Sequence, residues 1–157
     1  MTVSKGLGGG VPIGAAVATP EVIDSLRRGE HTSTFAGNPL ACAAGSATLD
    51  FIKKNDLARR ARDRGAILKA GLARIASSSK LTREVRGRGL MLAMEMRVDI
   101  YSQLLSAIQR GVVLAYSGRE TFRFLPPLVV EESQISKALE VLEGVIHDEE
   151  VKRVGNV

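Results

Sequence analysis

A chain of 157 residues has the length of one ordinary domain, and 45% apolar residues are enough to bury a sizeable core, which excludes a disordered chain. The single cysteine, Cys42, excludes an intramolecular disulfide scaffold and suits a reducing, cytoplasmic setting. A net charge of +5 raises the question of a basic nucleic-acid-binding module, but the densest cluster, Arg59, Arg60, Arg62 and Arg64, is interrupted by Asp63 and lacks aromatic interleaving, so it reads as a solvated helix face with no nucleic-acid partner, and the nucleic-acid-binding module stays as the alternative.

Residues 3–18 are glycine-rich and then apolar through Ile13-Gly14-Ala15-Ala16-Val17-Ala18, a pattern that predicts a loop followed by a buried strand. The same stretch looks superficially like a secretory leader, but Gly8, Gly9, Gly10, Pro12 and Gly14 oppose the helix a leader needs. No later run offers the roughly 20 apolar residues of a membrane span, so no membrane partner is expected. Thr19-Pro20-Glu21 is a helix start and Gly29 a stop, which predicts a short helix over residues 20–28. Asn38-Pro39 repeats the start signal ahead of a long helix to about Lys54, in whose small-residue run Cys42 reads as a buried structural thiol. Beyond Asp56, the positions Leu57, Ala61, Leu68, Leu72 and Ile75 share one helical stripe that ends in the Ser77-Ser78-Ser79 loop. Two strands are expected around the glycine turn Gly87-Arg88-Gly89, then a helix over residues 99–110, a strand over 112–115 and another at 122–125 stopped by Pro126-Pro127. Ile135, Leu139, Leu142 and Ile146 predict a closing helix over about 132–148.

Three segments carry candidate chemistry. Ser4-Lys5-Gly6-Leu7-Gly8-Gly9-Gly10 sets a lysine at the head of a turn whose glycines let a backbone approach a ligand closely, and a lysine amine can serve as a nucleophile. The spacing fits neither G-x-G-x-x-G nor the P-loop. On spacing alone, a surface lysine beside a flexible loop explains it better than a catalytic amine does. Ser33 and Thr34 read either as capping and turn residues or as phosphate contacts, since a hydroxyl and a free N–H beside a helix start suit a phosphate oxygen. Alternation along Phe122-Arg123-Phe124-Leu125 puts the two phenylalanines on one face and Arg123 on the other, as an exposed strand arginine or as a fork for a carboxylate. His31 and His147 are far apart in sequence and no ligand cluster accompanies either, so no metal site is expected.

Residues 4–15, Ser4-Lys5-Gly6-Leu7-Gly8-Gly9-Gly10-Val11-Pro12-Ile13-Gly14-Ala15, resemble the Schiff-base-lysine segment of the class III pyridoxal-phosphate aminotransferases, the group of acetylornithine, ornithine and 4-aminobutyrate aminotransferases. His31-Thr32-Ser33-Thr34-Phe35-Ala36-Gly37-Asn38-Pro39 is similar to that family's phosphate-contact loop, with Ala36 where relatives usually show glycine. Residues 122–128 resemble its substrate-carboxylate strand, and residues 85–91 the glycine turn that opens its small domain. The resemblance implies that Lys5 is the catalytic residue joined to pyridoxal 5'-phosphate, acting as base and acid of the 1,3-proton shift. It implies that Ser33 and Thr34 bind the cofactor, Thr34 reaching the phosphate of a neighbouring subunit, and that Arg123 binds the substrate α-carboxylate.

The implied fold class is α/β, the carboxy-terminal part of a fold-type-I transferase, with residues 1–48 ending the large domain and 49–157 forming the small α+β domain. The implied reaction moves an amino group from an amino acid or terminal amine to 2-oxoglutarate. The donor would be acetylornithine-like, as in arginine or lysine biosynthesis, with ornithine and 4-aminobutyrate as alternatives. Family residues that cradle the phosphate, stack on the ring and pair with the pyridine nitrogen precede the matched segment. The chain is therefore expected to be a truncated reading frame, a fragment or half of a split enzyme, inactive by itself. Its expected partner is a second copy in a homo-oligomer or a separate amino-terminal half; a non-catalytic assembly role is the alternative.

Overall fold

The computed structural model describes residues 1–27 and 29–154. It forms two compact units, Met1–Asp56 and Leu57–Val157.

In the first unit, β1 (Thr2–Val3) pairs antiparallel with β2 (Ala15–Ala16), with Thr2 opposite Ala16 and Val3 opposite Ala15. A 3-10 turn, Lys5–Gly8, lies between them. Helices α1 (Pro20–Ile23) and α2 (Pro39–Lys54) follow. The buried strand expected over residues 13–18 is instead this two-residue ladder, exposed at both positions. The helix expected over 20–28 ends at Ile23, and Arg28 falls outside the described residues. Val22, Ile23 and Leu26 are exposed, so no packing rewards extension of a single marginal turn. Helix α2 has its expected bounds. Pro39 occupies its first turn, and the Asn38 Oδ1 accepts a hydrogen bond from the Ala41 N–H at 3.1 Å. Cys42 is exposed rather than buried, because α2 turns Gly45 inward and Cys42 outward. A Cβ on Gly45 would stand 3.4 Å from Ile13 Cδ1 and 3.9 Å from Leu7 Cγ, so the glycine lets the Leu7–Ile13 loop lie directly on the helix.

The second unit runs α3 (Leu57–Ser78), β3 (Thr82–Arg88), β4 (Met91–Met96), α4 (Tyr101–Gln109), β5 (Ala115–Ser117), β6 (Thr121–Phe124) and α5 (Glu132–Val154). The four strands form one antiparallel sheet in the order β3-β4-β6-β5. One face is apolar: Leu92, Met94, Met96, Phe122 and Phe124 pack against Leu68, Leu72 and Ile75 of α3 and Ile135, Leu142 and Ile146 of α5. Met94, Phe122, Leu72 and Leu142 are each 0% exposed. The period-2 and period-3.6 patterns of the sequence meet in this core.

Two boundaries move from expectation. The glycine turn sits later, because β3 continues through Gly87 and Arg88, with Gly87 at φ +125° facing Leu92. The strand expected over 112–115 is β5 at Ala115–Ser117 instead. The Val112 N–H is committed to the Ala107 carbonyl at 2.9 Å as α4 ends, which delays the ladder with β6 until Ala115 meets Arg123.

Candidate active site

Lys5 opens the 3-10 turn with φ +57°, a left-handed backbone that costs an L-residue about 1–2 kcal/mol. Asp56 is the other described non-glycine residue in that region. Such strain is found where a local geometry is worth its cost, and here it sets the direction in which the lysine side chain leaves the turn. The turn is held by its own backbone: the Leu7 N–H donates to the Ser4 carbonyl at 3.3 Å and the Gly9 N–H to the Gly6 carbonyl at 3.1 Å. Gly8 is buried, and a Cβ there would meet Ile13 Cγ2 at 2.8 Å. Gly9 and Gly10 follow at φ +59° and +118°, conformations that side chains other than glycine rarely accept. Lys5 is exposed and has no ion-pair partner among the described residues.

Ser33 and Thr34 belong to the same unit. They lie in an exposed turn ahead of α2, in which the Ala36 N–H donates to the Ser33 carbonyl at 3.1 Å and the Asn38 N–H to the Phe35 carbonyl at 3.2 Å. Both hydroxyls face solvent without a hydrogen-bond partner among the described residues. His31 is exposed in this loop, while His147 lies exposed on α5 of the second unit.

Arg123 lies in the second unit, on β6, and its face is the one the alternation predicts: Phe122 and Phe124 enter the core while Arg123 points to the opposite face of the sheet. Its cross-strand neighbours are Ala93 on β4 and Ala115 on β5, both small. Three arginines are half-buried among the described residues: Arg60, Arg64 and Arg123. Arg60 pairs with Glu131 at 2.7 Å and Arg64 with Glu132, whereas Arg123 has no ion-pair partner among the described residues. A partly desolvated guanidinium between two alanines has the charge and the planar fork that a carboxylate would need. A cavity of about 770 Å³ borders it, walled by Val112, Leu114, Phe124 and Pro127.

The open face of the sheet also holds a cluster that sequence reasoning did not single out. The Arg83 Nη1 donates to Glu95 Oε1 at 2.7 Å, and the Arg86 Nη1 donates to Glu95 Oε2 at 2.7 Å and to Glu84 Oε2 at 3.2 Å. These bonds, that from Arg86 foremost, hold the Glu95 carboxyl below the usual carboxylate range. A bulge in β3 between Thr82 and Glu84 brings Arg83 to the cluster, and strand periodicity alone gives no signal for it.

Lys5, Ser33 and Thr34 thus share one unit and Arg123 stands in the other. The strained lysine, its glycine turn and the unengaged hydroxyls fit an aldehyde cofactor bearing a phosphate. No helix among the described residues is long and apolar enough to cross a membrane.

The Aminotransferase class-III family model matches residues 1–146. An acetylornithine aminotransferase of Gloeobacter violaceus is 44% identical over 146 residues, covering 92% of this chain and 36% of that protein. One of Caldanaerobacter subterraneus is 39% identical over 149 residues, covering 94% of this chain and 38% of that protein. Among solved structures, an ornithine aminotransferase of Toxoplasma gondii superposes with a TM-score of 0.91 at 32% identity, over 97% of this chain and 37% of that one. The chain spans little more than a third of the length of the curated relatives it matches. On this match, which runs through the lysine turn, residues 31–39 and the Arg123 strand, the chain belongs to the class III aminotransferases.

Proposed function

We propose that this chain is the lysine-bearing portion of a pyridoxal-phosphate aminotransferase that moves an amino group from an acetylornithine-like donor to 2-oxoglutarate. The observation that carries the reading is Lys5: a strained left-handed lysine heading the Lys5–Gly10 turn, inside a segment matched by the class III model. On this reading residues 1–48 close the large cofactor-binding domain and 49–157 form the small domain. The enzyme is a cytoplasmic homo-oligomer, or pairs with a separate amino-terminal half. Ornithine is the second donor to test, because ornithine aminotransferases of Toxoplasma gondii share the fold at 32% identity.

Pyridoxal phosphate, when bound, supplies an aldehyde for a covalent link to an amine and a ring that draws electrons from the substrate Cα. Every other step falls to side chains. The Lys5 Nζ would supply the amine that holds the cofactor's aldehyde and, once free, would serve as the base and then the acid for the substrate Cα proton. Ser33 and Thr34 offer hydroxyl donors to phosphate oxygens. Arg123 holds the α-carboxylate by two parallel N–H bonds, which orients the Cα–H bond toward the base.

Borohydride reduction in the presence of pyridoxal phosphate tests the reading, since it fixes the linkage for peptide mapping. Any covalent adduct so trapped is expected on Lys5 and on none of the six other lysines. An adduct placed mainly on Lys53 or Lys69, or one that persists in Lys5→Ala, would refute it.

A further inference from the structure

The open face of the sheet sets a carboxylate beside Arg123, yet the two do not pair. Ala93 lies opposite Arg123 and Glu95 opposite Thr121, so Glu95 is the diagonal neighbour of Arg123 on the same face. Diagonal neighbours stand about 7–8 Å apart, within reach of long side chains. A free carboxylate so near a half-buried, unpaired guanidinium would fill its fork. Both Glu95 oxygens are instead taken from the far side of β4, one by Arg83 and one by Arg86, each at 2.7 Å. The bulge in β3 makes this double hold possible: in a regular strand Arg83 and Glu84 would face opposite ways, whereas here the shift of register between Thr82 and Glu84 lets Arg83 and Arg86 converge on one partner. The Glu95 side chain is 22% exposed, against 56% for Glu84, so it is the more firmly enclosed of the two carboxylates. Glu84 lies on β3, two strands from β6, and so stands farther from Arg123 than Glu95 does.

We infer that Arg86, assisted by Arg83, is a positioning residue that holds Glu95 away from Arg123 and so keeps that guanidinium open for a ligand carboxylate. The inference rests on the reading of Arg123 as a carboxylate fork. Loss of Arg86 frees one oxygen of Glu95, which turns toward Arg123 and competes with the ligand from within.

Phenylglyoxal, which modifies free guanidinium groups, reports the state of Arg123 in the intact chain when peptides are mapped by mass. Arg86→Gln is expected to slow modification of Arg123 about three- to five-fold, the size of one diagonal charge pair. Adding Glu95→Gln should restore the parental rate, Glu95→Gln by itself should leave it unchanged, and Arg86→Lys should recover part of it. An unchanged or faster rate in a folded Arg86→Gln chain, or a slow rate that survives the double substitution, overturns the inference. Should Arg86→Gln lose its circular dichroism, Arg83→Gln decides, with a smaller slowing and the same rescue expected. Protection of Arg123 by 2-oxoglutarate in the parental chain is read separately. Its failure sinks the carboxylate reading and leaves the hold on Glu95 to be judged by the variants.

Discussion

Glu95, Asp99 and Glu143 each owe a lowered pKa to bonds the folded chain makes to the carboxylate form. The Arg86 side chain acts first on Glu95, the Tyr101 backbone N–H on Asp99 and the Arg74 fork on Glu143. The Arg74 guanidinium is correspondingly raised by Glu143, so both partners of that pair report one attraction. A carboxyl whose folded pKa lies below its unfolded value adds stability above the unfolded value, and that addition is lost as pH falls through the folded one. The relevant window therefore lies below about pH 4.5, the ordinary value for glutamate. Urea midpoints measured from pH 7 to pH 3 should fall in the acid range, and Glu143→Gln should flatten that fall; a slope identical to the parent would count against the pair. All three groups remain partly open to solvent, so the effect should shrink in high salt. At this scale the sequence was partly readable. Alternation sufficed to place Arg123 opposite Phe122 and Phe124, but neither the left-handed backbone of Lys5 nor the bulge that recruits Arg83 follows from residue types.

Among elements, α3 shows how local propensity and packing compete. Gly65 stands mid-helix, where alanine would gain about 1 kcal/mol of propensity. A Cβ there would strike the backbone of Gly89, including its carbonyl oxygen, and backbone cannot swing aside as a side-chain tip can. Overpacking of this kind costs about 1–3 kcal/mol, so the clash should win. Gly65→Ala is expected to lower the stability of the second unit by up to about 2 kcal/mol in denaturant unfolding; stabilisation would mean that α3 and the β3–β4 turn are not in contact in solution. Long periodic segments such as α3 and α5 were legible because their apolar stripes find a sheet to cover. Short ones were not: α1 lacks a surface to pack on, and β5 is set by where α4 ends rather than by its own apolar run.

At the scale of the whole molecule, the two units differ in what holds them. Leu57–Val157 contains every buried hydrophobic side chain among the described residues. Among the described residues of Met1–Asp56, Gly8 and Gly45 are the buried positions, and neither contributes a side chain. Phe35 is 78% exposed, Leu40 73% and Val22 59%, an apolar surface that water penalises and that favours self-association. Lys5, Ser33 and Thr34, the residues proposed to hold the cofactor, all sit in this unit. Catalysis requires a cofactor fixed within a fraction of an ångström of the reacting bond, and groups on loops without a packed core cannot supply that precision. The purified chain, given saturating pyridoxal phosphate, acetylornithine and 2-oxoglutarate, should therefore show no steady turnover. Hydrogen exchange should separate the units in the same sample: amides of α3, α5 and the central strands protected, those of residues 1–27 and 29–38 exchanging close to the rate of an unstructured chain. A partner that covers the first unit, whether a second copy or a separate amino-terminal half, should raise protection at Lys5–Gly10 and turnover together, because both depend on burying the same turn. Turnover at ordinary enzymatic rates from the chain by itself, with its first unit unprotected, would overturn this account of where the cofactor is held.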